Sequence, residues 1–325
     1  MNWFGRKKNG IKELSITPPV PRSGRHGIAI AACVKNEEPY IAEWLRFHRA
    51  VGIRHFVLYD HGSDDGTVAE ARRVLRPDEL TLLPWAGQIV ATKTDLLIDW
   101  QVVAFAHAIQ SFGGDFRRMA FIDVDEFLLP KHGTTVEEAL TEAGDFPNIS
   151  LPWHMFGTGG HKTKPAAPVT TSYTWRATDP MSRLKHLRNF KCIVDPCEVT
   201  RVSVHSFATV SYGSVVSNDA GKRANGDERK RPDFYSSAFL QLNHYYSKSE
   251  EEFAAKLARG AIYSLSRNHV PDRMTTTIRH IQLSQVEDSA MVDFIERNGI
   301  ELGDGPDEMR SDAPPVLPRT EPQIA

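Results

Sequence analysis

One stretch constrains the fold of this chain more than any other, because acids follow directly on a run suited to a buried strand. Met119 to Ile122 reads as a central strand of a parallel sheet. The acids that follow it are Asp123, Asp125 and Glu126. Ligand sites in open α/β sheets lie at the carboxyl ends of such strands, and carboxylates spaced i, i+2 offer the oxygen ligands that Mg²⁺ and Mn²⁺ prefer. The alternative is a solvated acidic turn, although burying unpaired carboxylates there is costly.

Composition bounds the class of protein. The chain has 325 residues, of which 41% are apolar and 25% charged, as in an ordinary globular protein. The formal net charge of −2 gives no support to a nucleic-acid partner, and three scattered cysteines do not predict a disulfide framework. No apolar run reaches the length of about 18 residues that a membrane-spanning helix needs, and no signal peptide is recognisable. We therefore expect a cytoplasmic protein, for which peripheral contact with membrane-attached acceptors remains open.

Two earlier strand-like runs also end in polar residues. Gly27 to Val34 leads into Lys35-Asn36-Glu37, and His55 to Tyr59 leads into the loop from Asp60 to Asp64. Strands and helices alternate up to the acidic stretch, which predicts a mostly parallel, doubly wound sheet with its strand ends on one edge. An Asp in such a loop can bind ribose hydroxyls or a base edge, whereas the alternative is a polar turn capped by Asp64 or Asp65.

The domain organisation follows from shifts in composition. We expect a flexible arm over residues 1–25, a single domain over 26–300 with halves at 26–130 and 131–300, and a disordered tail over 301–325. Further helices are predicted at about 94–112, 136–143, 249–258 and 289–296. The predicted antiparallel strands lie at 171–175, 190–194, 199–204, 208–215 and 238–242. Residues 217–231 are polar and predict a mobile segment, either a lid or a plain surface insertion.

The motifs resemble those of glycosyltransferase family 92 and the related family 2 branch, which are GT-A enzymes. The resemblance covers about residues 28 to 260. It rests on Lys35-Asn-Glu37, Glu43-Trp-Leu-Arg-Phe-His48, Gln101, Ile122-Asp-Val-Asp-Glu-Phe127, Trp153, Lys191-Cys-Ile-Val194, Asn243-His-Tyr, Lys248-Ser, Glu252-Phe and Lys256. It implies an α/β GT-A-like (Rossmann-like) fold, with a mostly parallel sheet flanked by helices and an antiparallel extension. His48 on an apolar helix face is expected to be a packed core histidine.

The resemblance also implies a metal and donor site. Asp123 and Asp125 would hold Mn²⁺ or Mg²⁺ against the diphosphate of a donor, and His205 is a candidate third ligand, with a structural histidine as the alternative. The implied nucleotide contacts are Lys35, Glu37, Asp60 and Asp64. His244 and Lys248 would meet the diphosphate by charge, together with the amides at the N-terminus of the following helix.

The implied reaction is a transfer of a sugar, of the hexosyltransferase class, from a nucleoside-diphosphate sugar such as a UDP-sugar. The acceptor would be a glycan, a glycolipid or another hydroxylated molecule in polysaccharide biosynthesis. An inverting single displacement needs a general base, for which Glu126, His154 and Asp227 are the candidates. Trp153 would either stack on an acceptor sugar or pack in the core. Asp195 departs from the family pattern, which has a basic residue there. The alternatives are a non-catalytic nucleotide-sugar-binding protein and an Asp-x-Asp phosphatase.

Overall fold

The computed structural model of the chain describes residues 10–259 and 270–303. The strands are β1 (Glu13–Ser15), β2 (Ile28–Val34), β3 (Ile53–Asp60), β4 (Leu80–Pro84), β5 (Ile89–Ala91), β6 (Leu96–Ile98), β7 (Arg118–Phe121), β8 (Glu126–Pro130), β9 (Asn148–Phe156), β10 (Trp175–Ala177), β11 (Phe190–Val194), β12 (Val199–Ser203), β13 (Phe207–Thr209), β14 (Val216–Ser217), β15 (Arg223–Ala224), β16 (Leu240–Tyr245) and β17 (Gln285–Glu287). The helices are α1 (Glu38–Ala50), α2 (Thr67–Val74), α3 (Trp100–Phe112), α4 (Val136–Leu140), α5 (Val169–Ser172), α6 (Glu250–Arg259), α7 (Val270–Leu283) and α8 (Ala290–Arg297).

The central sheet begins with parallel β–α units, as the alternating pattern predicts. Its strand order is β15–β14–β9–β11–β7–β2–β3–β4, and β7, β2, β3 and β4 are mutually parallel. Alternate residues of β2 enter two separate cores. Ile30 packs in the core that contains Trp44 of α1, whereas Ala31 packs in the core that contains Phe105 of α3. Both faces of this strand are therefore buried, which explains its uninterrupted apolar sequence.

The second half of the chain extends the same sheet with antiparallel pairs. β11 lies antiparallel to both β7 and β9. β9 is long enough to pair with β11 through its first residues and with β16, in parallel, through Trp153 to Phe156. β16 then pairs antiparallel with β8, directly after the acidic stretch. The predicted α/β class, mostly parallel with an antiparallel extension, is confirmed. One sheet carries strands from both predicted halves.

Two local predictions are wrong for reasons of tertiary structure or capping, and one helix was missed. The helix expected from residue 94 begins at Trp100, because Asp99 caps it by accepting the N–H of Gln101, and the residues before it form the β5–β6 hairpin. A strand was expected over 171–175, but its first two positions belong to the short helix α5, and the strand β10 begins only at Trp175. The first amides of α5 donate to the carboxylate of Glu43 at 2.8 and 2.9 Å. Helix α7 was not predicted from the sequence.

The arm expected over 1–25 is ordered in the part that the structure describes. β1 pairs antiparallel with β12, and Arg25 makes a two-pronged ion pair with Asp195 at 2.6 and 2.8 Å. That pair explains the acid that departs from the family pattern, since it fixes the N-terminal segment to the sheet. Residues 1–9 and 304–325 of the predicted arm and tail lie outside the described residues.

The polar segment over 217–231 is packed against the domain and is not built as a lid. Asn218 donates to the carbonyl of Phe234, and Asp219 is fully buried and accepts the N–H of Phe239. Arg229 is also buried and donates to Ser150 Oγ at 2.9 Å. Buried polar side chains with backbone partners hold the segment in place, so the prediction of a mobile segment is wrong. None of the helices in the described ranges has both the length and the apolar character required to cross a bilayer.

Candidate functional site

Three strand ends meet on one edge of the sheet, as predicted. Val34 at the end of β2 lies opposite Asp60 at the end of β3, and Ala31 of β2 lies opposite Phe121 at the end of β7. The chain segments that leave these strands therefore emerge side by side. Asp123 follows β7 by two residues and lies at this edge. Carboxyl ends of parallel strands are where open α/β sheets bind ligands.

Asp123 is held by side chains from two distant elements. Gln101 at the start of α3 donates to its Oδ1 at 2.9 Å, and Lys191 on β11 donates to its Oδ2 at 2.8 Å. The side chain of Asp123 is 31% exposed to solvent. The carboxylate is therefore fixed in orientation and still faces solvent.

Asp125 lies deeper and is paired with two basic side chains. Lys256 on α6 donates to its Oδ2 at 2.9 Å, and His244 Nε2 on β16 lies 3.4 Å from its Oδ1. Burial alone would raise the pKa of Asp125, but Lys256 and His244 outweigh it and hold that pKa well below the usual range. Burial lowers the pKa of His244, despite the nearby carboxylate. Asp125 is thus an ionised carboxylate at neutral pH.

Glu126 does not face the site as a base should. It is fully buried, and its Oε2 accepts the backbone N–H of Asp123 at 2.9 Å, so that it closes the acidic turn on itself. Trp44 of α1 donates to its carbonyl at 2.8 Å. Burial raises the pKa of Glu126 well above the usual range. The structure therefore supports a positioning role for Glu126 and not the predicted role of general base.

Lys191 lies between two of the acids and is itself buried. Its side chain is 1% exposed, and Nζ lies 2.8 Å from Asp123 and 3.6 Å from Glu126. Burial would lower the pKa of Lys191, but Asp123 and Glu126 raise it above the usual value, so the ammonium stays charged. An ammonium in this position ties the acidic turn to β11.

Lys248 contributes a second ammonium just before α6. It is 7% exposed, its backbone has the left-handed φ of 54°, and its Nζ lies 3.8 Å from the centre of the Tyr40 ring. A cation over an aromatic face is stabilised there by the ring quadrupole. Burial lowers the pKa of Lys248, although Asp125 opposes that effect. The charge lies within the electrostatic reach of Asp125 and Glu37.

The N-terminus of α6 does not offer the free amides that the sequence predicts for a diphosphate. Glu250 N–H donates to the carbonyl of His161 at 3.0 Å, and Glu251 N–H donates to the carbonyl of Lys162 at 3.0 Å. Glu252 N–H donates to Ser249 Oγ. These three amides donate to other groups of the protein. They are therefore not available to a diphosphate, which would interact with the lysine side chains instead.

His205 is not brought into a ligand group with the two aspartates. Its Nδ1 lies 3.1 Å from the carbonyl of Phe190, and its Nε2 lies 3.1 Å from Asn189 Nδ2. Burial lowers the pKa of His205 to about 3. Within residues 10–259 and 270–303, no three His, Cys, Asp or Glu side chains are grouped so that they could hold a metal ion. The structural alternative for His205 fits these contacts better than the predicted third ligand.

The predicted acceptor residues lie on opposite sides of β9. Trp153 packs against the rings of His244 and His205, with centroids at 4.5 and 5.5 Å, and is 6% exposed. His154 is 1% exposed, and its Nε2 lies 3.0 Å from Tyr235 Oη. Burial lowers the pKa of His154 to about 3. Alternation along the strand turns His154 away from the acids, so its predicted role as base is not supported.

The predicted nucleotide residues lie at the same edge, where they also stabilise the loops. Lys35 and Glu37 are partly exposed directly after β2. Asp60 accepts the N–H and the hydroxyl of Ser63, at 3.0 and 2.6 Å. Asp64 is exposed and accepts an N–H from the side chain of Asn36 at 2.6 Å, which links the loop after β3 to the loop after β2. Both carboxylates thus have partners within these loops, and their contact with a nucleotide stays a prediction.

The two aspartates retain the free lone pairs that a divalent cation needs. An ionised carboxylate has about four lone-pair sites. Asp123 and Asp125 each use two of them, one on each oxygen, for the contacts described above. Lone pairs therefore remain for a metal ion, and Mg²⁺ sites that substrate phosphates complete use one or two protein carboxylates.

Two residues of this site carried no predicted role. Lys191 and Lys256 lie 68 and 131 positions from the aspartates that they contact. Both belong to the motifs that carry the family resemblance, and that membership was the signal available in the sequence. Because these lysines lie so far along the chain from the aspartates, the contacts between them could not be predicted from the sequence.

Comparison with known proteins places the chain in a family. The profile described as Glycosyltransferase family 92 matches residues 28–282. A family 92 protein of Oryza sativa subsp. japonica is 25% identical over 189 residues, which cover 54% of this chain and 30% of that protein. A family 92 protein of Ricinus communis is 24% identical over 261 residues, which cover 77% of this chain and 41% of that protein. The chain thus spans less than half the length of these two plant relatives.

Solved structures show weaker likeness. The crystal structure of S. aureus TarS 1–349 has 18% identity and a TM-score of 0.31, and covers 52% of this chain and 47% of that one. A mycobacterial protein has 15% identity and a TM-score of 0.32, over 68% of this chain and 66% of that one. Such scores carry no functional argument, and the family profile decides the assignment. Since that profile covers most of the chain, the protein belongs to glycosyltransferase family 92.

Proposed function

We propose that this chain transfers a sugar from a UDP-sugar to a hydroxyl of a glycan, a glycolipid or another acceptor, with Mn²⁺ or Mg²⁺ held by Asp123 and Asp125. One observation carries the proposal. Two carboxylates contact the ammonium groups of Lys191 and Lys256 at the carboxyl edge of a parallel sheet. A cation and a diphosphate need this mixture of charges in one place. Family membership supports the same reaction class.

The roles of the donor-side residues follow from their charge and position. Lys256 contacts Asp125, and Lys248 lies over the Tyr40 ring within the electrostatic reach of Asp125. Both would bind the diphosphate as point charges. Asp60 at the end of β3 would contact the ribose or the base. The metal ion, when bound, supplies Lewis-acid stabilisation of the charge that develops on the leaving nucleoside diphosphate.

The turn that holds the aspartates is built for a fixed geometry. Glu126 accepts the backbone N–H of Asp123, while Gln101 and Lys191 donate to the two oxygens of the Asp123 carboxylate, so that the carboxylate has little freedom to rotate. Catalytic groups fixed in this way need no reorganisation during the reaction. A single displacement also needs a group that removes the acceptor proton. The proposal gives that step to neither Glu126 nor His154, because both are buried.

A cytoplasmic setting is part of the proposal and rests on the cysteines. Cys33, Cys192 and Cys197 are free thiols, and the first two are buried. Free buried thiols are usual in reducing compartments. Fractionation of cells that express the tagged chain tests this point, and recovery in a secreted fraction would contradict it.

Ligand binding separates the proposed function from its alternatives. We expect UDP and a subset of UDP-sugars to raise the melting temperature in the presence of Mn²⁺, and we expect Asp123→Ala and Asp125→Ala to lose that shift. A non-catalytic binding protein would show the shift without any release of UDP on prolonged incubation with acceptor extracts. If no nucleoside diphosphate shifts the melting temperature at any metal concentration, the proposed function is wrong.

A further inference from the structure

Lys256 and Lys191 contact neighbouring aspartates but differ in how firmly they are held. The side chain of Lys191 is 1% exposed and lies on a central strand, where it contacts two acids. The side chain of Lys256 is 25% exposed and lies on α6, near the edge of the site. Its Nζ also donates to the carbonyl of Tyr246 at 2.9 Å and lies 4.7 Å from the centre of that ring. The side chain of Lys256 is therefore accessible from solvent and can reach another partner, whereas that of Lys191 is enclosed by the protein.

Without a ligand, Lys256 neutralises the carboxylate that a metal ion would use. The ammonium lies 2.9 Å from Asp125 Oδ2, and His244 lies on the other oxygen. A divalent cation that approaches Asp125 therefore meets a positive charge already in contact with it. Two like charges at one carboxylate repel each other, and this repulsion weakens binding of the cation. A diphosphate changes the balance, because it offers the ammonium a second anionic partner.

We infer that Lys256 is an exchangeable internal counter-cation, which competes with the divalent metal ion for Asp125 and moves to the diphosphate when the donor binds. The metal ion and the nucleoside diphosphate therefore bind with positive cooperativity. This inference rests on the proposed function and adds to it the order and coupling of ligand binding. Lys191 is the fixed member of the pair and keeps Asp123 oriented throughout.

The coupling is reciprocal by thermodynamic necessity. If the diphosphate raises the affinity for Mn²⁺ by some factor, Mn²⁺ raises the affinity for the diphosphate by the same factor. Mn²⁺ also binds UDP in free solution, which produces part of any apparent cooperativity. That part is the same for every variant at equal concentrations, so comparison of variants isolates the contribution of Lys256.

The test measures Mn²⁺ binding directly, from the electron paramagnetic resonance signal of free Mn²⁺ during titration, with and without saturating UDP. Wild type, Lys256→Met and Lys256→Gln are compared with Lys230→Met, which removes an exposed lysine outside the site. For wild type we expect UDP to tighten Mn²⁺ binding by about 5- to 150-fold, the usual range for coupled ligands. For Lys256→Met and Lys256→Gln we expect Mn²⁺ alone to bind several-fold more tightly and the effect of UDP to shrink. Lys230→Met should behave as wild type.

The outcomes separate the two proposals. If UDP and Mn²⁺ bind wild type together, but neither Lys256 variant changes the affinity for Mn²⁺ alone, the inference is wrong and the proposed function stands. If Mn²⁺ does not bind wild type even with saturating UDP, the proposed function fails and the inference fails with it. Tighter binding of Mn²⁺ alone in both variants, with reduced coupling to UDP, supports the exchange. Melting curves confirm that each variant is folded before titration.

Discussion

Lys191 is the residue whose replacement tests the design of the acidic turn most sharply. The substitution Lys191→Met keeps the apolar stem and removes the ammonium that contacts Asp123 and Glu126. Both acids then lose a buried counter-charge. Asp123 is partly exposed and can be hydrated, whereas Glu126 is fully buried, and its raised pKa means that it has to be protonated.

The expected loss of stability follows from this geometry. Breaking a buried ion pair by removing one partner costs about 3–5 kcal/mol. We expect a value near the lower end, about 3 kcal/mol, because Asp123 retains contact with solvent. A domain of this size shifts its melting temperature by roughly 2–4 °C per kcal/mol, so the loss corresponds to about 6–12 °C.

The assay compares five proteins by thermal and urea unfolding at pH 7. They are wild type, Lys191→Met, Glu126→Gln and the double variant, with Lys230→Met as the exposed control. The double variant should recover part of the loss, because glutamine does not have to be protonated in the buried site and retains an oxygen that can accept the Asp123 N–H. A Lys191→Met protein as stable as wild type, or a double variant whose losses simply add, would refute the buried ion network.

Three other expectations concern parts of the fold outside the acidic turn. Burial lowers the pKa of His48 and of His154 to about 3, below the usual 6.5, so the unfolded chain binds more protons below pH 6.5. The free energy of unfolding is therefore highest above that pH and decreases as the pH falls. Between pH 7 and 5 we expect a decrease of about 2 kcal/mol for each histidine, measured by urea unfolding at both pH values. Arg25→Ala should cost about 1.5 kcal/mol through loss of the charged pair with Asp195, and thermolysin should then cleave the N-terminal segment faster. Glu43→Gln should loosen α5, seen as faster amide hydrogen exchange at Val169, because a neutral amide accepts the helix N–H groups more weakly.

The sequence predicted the parts of the fold that local pattern determines. The buried strand of Ile28 to Val34 and the acidic end of β7 were predicted because burial on both faces leaves an unbroken apolar run before polar residues. His48 was predicted as a packed histidine, and it accepts the N–H of Leu128 and lies 2.8 Å from the carbonyl of Trp44. These features need only neighbouring residues for their recognition.

The sequence did not predict features that depend on partners far along the chain. α5 forms because Glu43, 126 positions earlier, caps its amides. Lys256 meets Asp125 across 131 positions, and no local pattern connects them. His205 was expected to ligate a metal ion because of its place in a motif, yet a motif does not show which atoms surround the ring. Its two nitrogens face Asn189 and a backbone carbonyl instead.

We propose that the aspartate pair supports metal-dependent release of UDP from a sugar donor. The most direct measurement incubates the wild-type chain with a panel of UDP-sugars and Mn²⁺ and quantifies the UDP that forms. We predict that one or a few donors release UDP, that EDTA stops the release, that added Mn²⁺ restores it, and that Asp125→Ala abolishes it. UDP release that persists in EDTA and in Asp125→Ala would contradict the account.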